Sequence, residues 1–463
     1  MKRRRFIKNT LASTMGFIAI PTIVPSMVFG KKAPSNRIHI GQIGCGRIGR
    51  SHDMFETFKY EDAIFVACCD VDSKRAEEGK ELLEEWYFEK TGSRRYKKIK
   101  IYNDYQEMLQ DRNIDAVIIS TPDHWHARNA IDAALAGKDI YLQKPCSLTI
   151  KEGRKVSDVI KKTGSILQMG SQQRSVNPWP QFKRACELVR NGRIGVVKEI
   201  YIGLPGDPSG SEEPEMPVPS NLNYDVWLGS TPFVYYTEKR VHPQEGYDRP
   251  GWLRCEQFGA GMITGWGTHH IDTAHWGMGT EMTGPVEVEA TAKFPKSGLW
   301  DVHGDFNVRA KYANGVVMHI SGEYPNGVKF IGTEGWIFAA RSDTSVTSSD
   351  PGAQDATRTG LDASSPKILE SEIREDEIHL HHSEEQHRDW LDSIKTRKQP
   401  GAPAETGHRS CSACLVSHIA MKLGRKLYWD PENEQFKNDD EANAMLSRSQ
   451  RKPYGTDYVE FKI

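Results

Sequence analysis

The sequence of 463 residues has almost no excess of either charge and no long uninterrupted apolar run. Its 61 lysines and arginines nearly match its 62 aspartates and glutamates, which gives a formal net charge of -1. No basic stripe of the kind that binds nucleic acid is present. The apolar stretch Leu11–Phe29 is broken by Pro21 and Pro25, so it is too weak for a stable membrane span. We expect no nucleic-acid partner and no stable membrane span in the mature form.

The sequence also lacks the cysteine spacing of a disulfide framework or a zinc site. Its eight cysteines are scattered, and the Cys-x-x-Cys pair at 411–414 has no second pair to complete a metal site. We interpret that pair as core packing. His269, His270, Asp272 and His275 offer ligand atoms, but on a helix they do not share one face. We therefore predict no metal. We also predict that the histidines between 379 and 387 lie on a surface of loop and helix.

The amino terminus carries a pair of arginines ahead of the apolar stretch. Arg3-Arg4, followed by Arg5, Phe6, Ile7 and Lys8, looks like a twin-arginine export signal. A basic segment before a weak apolar stretch is typical of a processed signal rather than of an anchor. We expect residues 1–34 to be this signal segment, and the mature protein to be exported in folded form to the periplasm.

Residues 35–168 are predicted to form a doubly wound, parallel α/β domain. Apolar strands alternate with helices, as in sheets that are covered on both faces. The predicted strands are Arg37–Ile43, Ala63–Cys69, Ala116–Ser120, Asp139–Leu142 and Ser165–Met169. One predicted helix starts at Gly46, and the others cover Asp72–Tyr87, Ala127–Ala136 and Glu152–Lys162.

Residues 169–463 are predicted to form a second, α+β domain with a largely antiparallel open sheet. Alternating apolar and polar residues indicate its strands. They are Val197–Ile202, Val286–Phe294, Asp305–Tyr312, Gly315–Tyr324, Val328–Gly332 and Gly335–Ala340. The expected helices are Trp179–Arg190, Glu384–Thr396 and Cys411–Leu423. We expect a long surface loop over 341–366 and a charged coil at the carboxyl end.

A glycine-rich turn follows the first strand. The pattern Gly44-x-Gly46-x-x-Gly49 lets a backbone approach a pyrophosphate, and the following helix start presents N–H groups to it. Asp70 ends the second strand, where a carboxylate accepts hydrogen bonds from a ribose. It would also repel a 2′-phosphate, so we predict NAD rather than NADP. The turn residues assigned to the cofactor are Gly44, Cys45, Gly46, Arg47, Ile48 and Gly49.

Further motifs follow two later strands of the same domain. They are Thr121-Pro122-Asp123-His124-Trp125-His126, then Ala134-Leu135-Ala136-Gly137-Lys138, then Gln143-Lys144-Pro145. In order and spacing they resemble the glucose-fructose oxidoreductase and inositol dehydrogenase family (Gfo/Idh/MocA). The runs Gly407–Ser410 and Gly424–Pro431 extend the resemblance over essentially all of 37–463.

The resemblance implies an NAD-dependent oxidoreductase with catalytic residues Lys144 and His269. Two positions depart from the family pattern: Gln143 replaces the usual Glu, and Gly265 replaces an Asp that normally accompanies the catalytic His. Cofactor contacts are expected from Thr121, Pro122, Asp123, His124, Trp125, His126, Gln143, Lys144 and Gln172. Substrate contacts are expected from Arg174, Trp252, Arg254, Trp266, His269 and His270.

The resemblance further implies a carbohydrate substrate whose ring hydroxyl, such as C3 of a glycoside, is oxidised or reduced. Outside the cytoplasm the NAD would have to stay bound and be recycled. Two alternatives remain open from the sequence: an NAD-dependent glycosidase that works by oxidation and elimination, and a non-catalytic sugar-binding protein stabilised by NAD. The family also implies a homodimer or a homotetramer formed through the second sheet.

Overall fold

The computed structural model describes residues 37–92, 99–341 and 360–460. A six-stranded parallel sheet occupies its first part, in the strand order β3-β2-β1-β4-β5-β6. The strands are β1 (Ile38–Ile43), β2 (Ala63–Cys69), β3 (Lys100–Tyr102), β4 (Ala116–Ile119), β5 (Asp139–Leu142) and β6 (Leu167–Met169). The helices are α1 (Met54–Phe58), α2 (Ser73–Thr91), α3 (Tyr105–Leu109), α4 (Asp123–Leu135) and α5 (Ile150–Thr163). This is the predicted doubly wound Rossmann arrangement.

Burial explains why the central strands of this sheet are apolar throughout. Every residue of β4 and β5 is buried, because helices cover both faces of the sheet. The strand order reverses between β1 and β4, which pair in parallel. At such a reversal the loops beyond the carboxyl ends of the strands separate and leave a crevice.

A nine-stranded sheet forms the second part, in the order β13-β12-β11-β7-β10-β9-β8-β14-β15. Only the pair β7 and β10 runs parallel among these described strands. The strands are β7 (Val197–Gly203), β8 (Pro285–Ala292), β9 (Phe306–Tyr312), β10 (Val317–Ser321), β11 (Gly327–Gly332), β12 (Trp336–Ala339), β13 (Leu361–Ala363), β14 (Leu427–Asp430) and β15 (Gln435–Phe436). The predicted α+β architecture is confirmed.

Helices cover one face of this second sheet. In β9 buried residues alternate with more exposed ones, as expected of a strand with one packed face. The helices are α6 (Pro180–Arg190), α7 (Tyr224–Leu228), α8 (Met262–Gly265), α9 (Gly267–Met278), α10 (Pro366–Glu370), α11 (Gln386–Thr396), α12 (Ala404–Leu423) and α13 (Asp440–Ala444).

Three predictions about the second part need correction. Strand β13 lies inside the predicted loop 341–366, of which 342–359 fall outside the described residues. The carboxyl end is not only coil, because β14 and β15 extend the sheet beside β8. Helix α12 starts at Ala404, seven residues before the predicted start at Cys411. Strands β13, β14 and β15 are short, and their hydrogen-bond partners are mostly distant in the sequence. Their sequences therefore show little alternation of apolar and polar residues.

The carboxyl-terminal helices also pack against the first sheet. Trp390 and Leu391 of α11 share an apolar cluster with Ile38 and Ile40 of β1. The boundary that the sequence suggested at residue 168 lies within β6. All eight cysteines are free and buried, including the pair at 411–414. In the described part of the chain, no helix is long and apolar enough to cross a membrane, and the expected signal segment 1–34 lies outside that part.

Candidate active site

A cavity of about 850 Å³ lies beyond the carboxyl ends of the parallel strands. One wall comes from the turns after β1, β2, β4 and β5, and the other from the segment around Trp227, Trp252 and Trp266. Its position is the crevice where ligands bind in doubly wound folds. Most of the motifs found in the sequence meet there.

The glycine-rich turn has the shape that a pyrophosphate needs. Gly44 has a positive φ of +87°, and a Cβ on it would lie 2.7 Å from the carbonyl oxygen of Ser120. A Cβ on Gly49 would lie 2.4 Å from the Gly44 carbonyl oxygen. At Gly46, by contrast, the nearest atom to a built Cβ is an Arg75 guanidinium nitrogen at 3.9 Å, and Gly46 lines the cavity. Two glycines close the turn and the third leaves the approach open, so the turn fits a dinucleotide.

Asp70 stands at the end of β2 and faces this turn. Its carboxylate accepts the backbone N–H of Cys45 at 2.7 Å and that of Asp72 at 2.9 Å. Burial raises the pKa of Asp70, and these two N–H groups oppose the rise. Asp70 lines the cavity, as an acceptor for a ribose hydroxyl must. Cys45 does not line the cavity, because its side chain is buried and its backbone N–H is donated to Asp70, which corrects its assignment to the cofactor.

The segment after β4 divides into residues that face the cavity and one that does not. Thr121, Pro122, Asp123, Trp125 and His126 line it. Burial raises the pKa of Asp123 to about 7, although the charge of Lys144 acts in the opposite direction. The ring nitrogens of His126 lie 2.6 Å from the Pro145 oxygen and 2.8 Å from the Thr121 oxygen. His126 thus links the ends of β4 and β5.

His124 does not line the cavity, which corrects the prediction that it contacts the cofactor. Its Nε2 lies 2.8 Å from the Trp227 carbonyl oxygen, and the indole N–H of Trp125 donates to the Val226 oxygen at 3.0 Å. Burial lowers the pKa of His124 to about 3, so the ring is neutral. The two side chains hold α7 against α4 and thereby shape the far wall of the cavity.

Lys144 reaches across the cavity from the end of β5. Its Nζ donates to the carbonyl oxygen of Gly265 at 2.8 Å. A Cβ on Gly265 would meet no atom closer than the Met262 sulfur at 3.9 Å. Where the family pattern has an aspartate, this chain therefore has free space, and a backbone carbonyl orients the lysine.

His269, on α9, lies on the same cavity and is nearly enclosed. Burial, followed by the charges of Arg341 and Lys144, lowers its pKa well below the usual range, so the imidazole is neutral. Its Nδ1 atom finds no hydrogen-bond partner among the described residues. The Arg341 guanidinium lies 3.8 Å from the Trp179 ring centre and 4.7 Å from that of Trp266. Arg341 was not predicted as a site residue, because it begins a segment whose sequence indicates a surface loop.

The structure brings some of the predicted substrate residues to the cavity and not others. Trp252, Trp266 and His269 line it, as does Gln172. Arg174 is instead buried in an ion pair with Asp272, at 2.6 Å and 2.9 Å. Arg254 stacks on Trp300, 4.4 Å from the ring centre. His270 Nε2 lies 2.6 Å from the Asn326 side-chain oxygen. The substrate assignments of Arg174, Arg254 and His270 are therefore corrected to structural roles.

Three side chains outside the predicted set meet beside the glycine-rich turn. They are His52, Asp53 and His387, whose candidate ligand atoms all lie within 4.8 Å of one another. His387 was predicted to lie on the surface, but it is buried and stacks on Tyr141 with 4.1 Å between ring centres. The potential ligand residues on α9, for which no metal was predicted, face different partners: His275 lies 2.7 Å from the Tyr312 hydroxyl and Asp272 pairs with Arg174.

Comparison with known proteins gives two matches to one family. Residues 38–171 match the NAD-binding Rossmann fold of the Gfo/Idh/MocA oxidoreductase family, and residues 209–348 and 363–456 match its C-terminal α/β domain. Myo-inositol 2-dehydrogenase of Thermotoga maritima is 35% identical over 159 residues, which are 34% of this chain and 42% of that protein. Alpha-N-acetylgalactosaminidase of Shewanella oneidensis is 29% identical over 212 residues, 42% of this chain and 43% of that protein. The chain thus matches less than half the length of these relatives.

A solved structure shows the same fold. The WlbA dehydrogenase from Bordetella pertussis, in complex with NADH and UDP-GlcNAcA, superposes with a TM-score of 0.58 at 16% identity. The match covers 85% of this chain and 98% of that one.

Proposed function

Because the chain belongs to the Gfo/Idh/MocA oxidoreductase family, whose Rossmann domain binds NAD, we propose that it oxidises or reduces a ring hydroxyl of a carbohydrate. The substrate class is a glycoside, and C3 is the proposed position. One observation carries the proposal: Lys144 and His269 line the same cavity as the glycine-rich turn and Asp70. A sugar placed between them would meet the nicotinamide end of the cofactor.

The chain's own residues supply binding, orientation and proton transfer. When bound, NAD supplies the hydride acceptor. Lys144 Nζ, held by the Gly265 oxygen, is placed to hydrogen-bond the reacting oxygen and to stabilise negative charge on it. His269 is neutral and can accept the hydroxyl proton. Trp252 is only partly buried and offers a flat face on which a pyranose ring can stack, whereas Trp266 is buried under Arg341.

Export is part of the proposal. The arginine pair at 3–4 supports translocation of a folded protein to the periplasm, and a cofactor inserted before export would travel with it. The NAD would then remain bound and be recycled by a second substrate. We further propose a homodimer or homotetramer, for which the open face of the second sheet offers an extended surface.

A second candidate function is glycoside cleavage with the same machinery. The match to alpha-N-acetylgalactosaminidase favours it. In that case transient oxidation of the sugar would permit elimination, and the hydride would return to the sugar. A third reading, sugar binding without catalysis, would follow if the departures at Gln143 and Gly265 had abolished turnover.

The test uses protein produced with its export segment intact. We expect NAD(H) to stay with the protein through gel filtration, and incubation with a panel of glycosides to give keto-sugars detectable by mass spectrometry. Lys144→Ala should lower turnover by roughly 10²–10⁴-fold and keep the nucleotide, because a positioned proton-transfer group is lost. Lys151→Ala, which changes an exposed lysine on α5, is the matched control.

The outcomes separate the candidates. Normal turnover of Lys144→Ala would contradict the assignment of the cavity, and absence of nucleotide from acid extracts would contradict the proposed export of a loaded enzyme. Net hydrolysis without net NADH would favour the glycosidase. Sugar binding with no change in NADH absorbance would favour the non-catalytic reading.

A further inference from the structure

A carboxylate that no sequence motif indicated is buried directly behind the cavity. Asp53 ends a single π-helical turn, Gly49–Asp53, that follows the glycine-rich turn and leads into α1. Its side chain is fully enclosed. π-helical turns are uncommon and occur often at functional sites. Here the turn directs Asp53 toward the ends of β4 and β5.

Asp53 is surrounded by hydrogen-bond donors. Ser120 Oγ donates to Oδ2 at 2.5 Å, and Gln143 Nε2 donates to Oδ1 at 2.7 Å. His52 Nδ1 lies 2.9 Å from Oδ1, whereas His387 Nε2 lies 3.6 Å away, beyond hydrogen-bond distance. Burial opposes ionisation of Asp53, but His387 and His52 outweigh it and hold its pKa well below the usual range. Asp53 is therefore an ionised acceptor.

The contact with Gln143 explains why an amide precedes Lys144. A carboxylate at position 143 would have no proton to donate, and two like charges would meet in a buried site. The amide oxygen of Gln143 packs where a Cβ on Gly170 would lie 3.0 Å away, so the amide nitrogen is the group that faces Asp53. The negative charge lies at the start of α1, and its amide donor follows β5 directly.

The contact with Asp53 fixes the tautomer of the His52 ring. An ionised carboxylate only accepts hydrogen bonds, so Nδ1 of His52 carries the proton. In the neutral ring Nε2 is then an acceptor. The His52 side chain is 31% exposed and lines the cavity together with Lys144 and His269.

We propose that Asp53 is a positioning residue of the active site, which holds His52 with Nε2 available to accept a hydrogen bond from a hydroxyl in the cavity and holds Gln143 beside Lys144. The hydroxyl belongs to a ring that carries vicinal diols, either the cofactor ribose or the sugar. Asp53 and Gln143 form a matched carboxylate–amide pair. This inference rests on the proposed function and specifies how the side chains of the same site are held.

The same three side chains also have the spacing of metal ligands, but their bonding favours the hydrogen-bonded arrangement. Both oxygens of Asp53 already accept bonds, from Ser120 on one side and from Gln143 and His52 on the other. A divalent ion would have to displace the Gln143 amide. Elemental analysis of the purified protein decides this point, since a stoichiometric metal that is lost in His52→Asn would overturn the proposal.

The decisive experiment exchanges the pair. Asp53→Asn and Gln143→Glu should each lower kcat/KM by about 10–100-fold, as loss of an orienting partner does in comparable sites. The double variant Asp53→Asn/Gln143→Glu keeps one carboxylate and one amide, so it should recover stability over Gln143→Glu. Its kcat/KM should recover only in part, because Oδ1 of Asp53 contacts both Gln143 and His52, and an amide nitrogen in that place cannot accept from His52. Asp62→Asn is the matched control: Asp62 is also buried, but it pairs with Arg388 and Lys395 away from the cavity. Asp62→Asn should lower stability and leave kcat unchanged.

Thermal unfolding without added substrate gives an independent readout. In Gln143→Glu the new carboxyl faces Asp53 in a buried site, so its pKa is raised in the folded state. The stability that its protonated form contributes is then lost as the pH rises, and the loss of melting temperature should be larger at pH 8 than at pH 5. The groups that act on Asp53 there are His52 and His387, and Asp53 in turn affects Tyr141 and His126. The exchange variant should show no such pH dependence.

His52→Asn separates the two branches of the network. Its amide can still donate to Asp53, but it has no counterpart of Nε2. We expect wild-type stability with lowered activity. A fall in nucleotide retention assigns the hydroxyl to the ribose, and a raised KM for the sugar with nucleotide retained assigns it to the substrate.

Wild-type kinetics in both His52→Asn and Asp53→Asn, or failure of the exchange variant to recover stability over Gln143→Glu, would overturn the inference. If Lys144→Ala loses activity in the same preparation, the proposed function survives that result. If Lys144→Ala is fully active, the proposed function fails first.

Discussion

Gly265 shows how a single missing side chain changes the chemistry around it. The family pattern places an aspartate there, and its absence leaves His269 without an acidic partner on α8. The Gly265 carbonyl oxygen instead accepts from Lys144 at 2.8 Å. His269 is neutral and enclosed, and Lys144 is oriented by a backbone carbonyl. Proton transfer at this site would therefore depend on both side chains.

We predict that Gly265→Asp folds normally but binds its sugar more weakly. The built Cβ meets nothing closer than 3.9 Å, so the melting temperature should stay near that of the wild type. The added carboxylate projects into space that the substrate needs, and KM for the sugar should rise roughly tenfold. Gly265→Ala, which adds only the Cβ, is the control. A rise in turnover on the native sugar would show instead that the missing aspartate is a defect.

At the scale of elements, α9 carries His269 and is fixed by one buried ion pair. Arg174 donates to both oxygens of Asp272 on α9, and Ser410 of α12 donates to the same carboxylate at 2.8 Å. The guanidinium also lies 5.1 Å from the ring centre of Trp276. Arg174 therefore stabilises the packing of α9 through a contact that does not line the cavity.

We predict that Arg174→Leu destabilises the fold by about 3–5 kcal/mol, because Asp272 is left buried without its partner. Arg174→Leu/Asp272→Leu should recover part of this loss, since no unpaired charge remains. Denaturant unfolding measures both. KM for the sugar in the folded protein should be unchanged. A raised KM at wild-type stability would restore the substrate role that the sequence suggested.

For the whole molecule, buried histidines set the response to acid. Burial lowers the pKa of His124 to about 3. It lowers the pKa to about 4 in four further histidines, which are His126, His270, His275 and His303. His303 illustrates the cause, since its Nε2 accepts the backbone N–H of Ile263 at 3.2 Å and must stay unprotonated to do so.

We predict that stability declines as the pH falls from about 6.5 toward 4, the usual histidine pKa being near 6.5. In that window the unfolded chain binds protons at these rings and the folded chain does not, so protonation favours unfolding. Urea unfolding at pH 7, 6 and 5 measures the slope. His303→Asn should reduce it by up to about 1.4 kcal/mol per pH unit. Constant stability down to pH 4 would contradict the prediction, because the buried histidines with lowered pKa values outnumber the carboxyl groups that act in the opposite direction, such as Asp123 and Asp207, whose pKa values burial raises to about 7 and about 6.

Local pattern was sufficient to predict the architecture and the cofactor end of the site. Apolar strands alternating with helices specify a covered parallel sheet, and Gly44, Gly46, Gly49 and Asp70 lie close together along β1 and β2. The predicted family is confirmed by the matches over both domains. The ends of β4 and β5 meet at one sheet edge, so Lys144 was also predictable.

Only the tertiary structure decided which polar residues face the cavity. Arg174, Arg254 and His270 are residue types that often bind sugars. Their side chains instead contact Asp272, Trp300 and Asn326, respectively. Asp53 and His387, 334 residues apart in the sequence, meet because α11 folds back on the first sheet. Residue type and spacing specify what a side chain can do, whereas its partners depend on contacts between segments far apart in the chain.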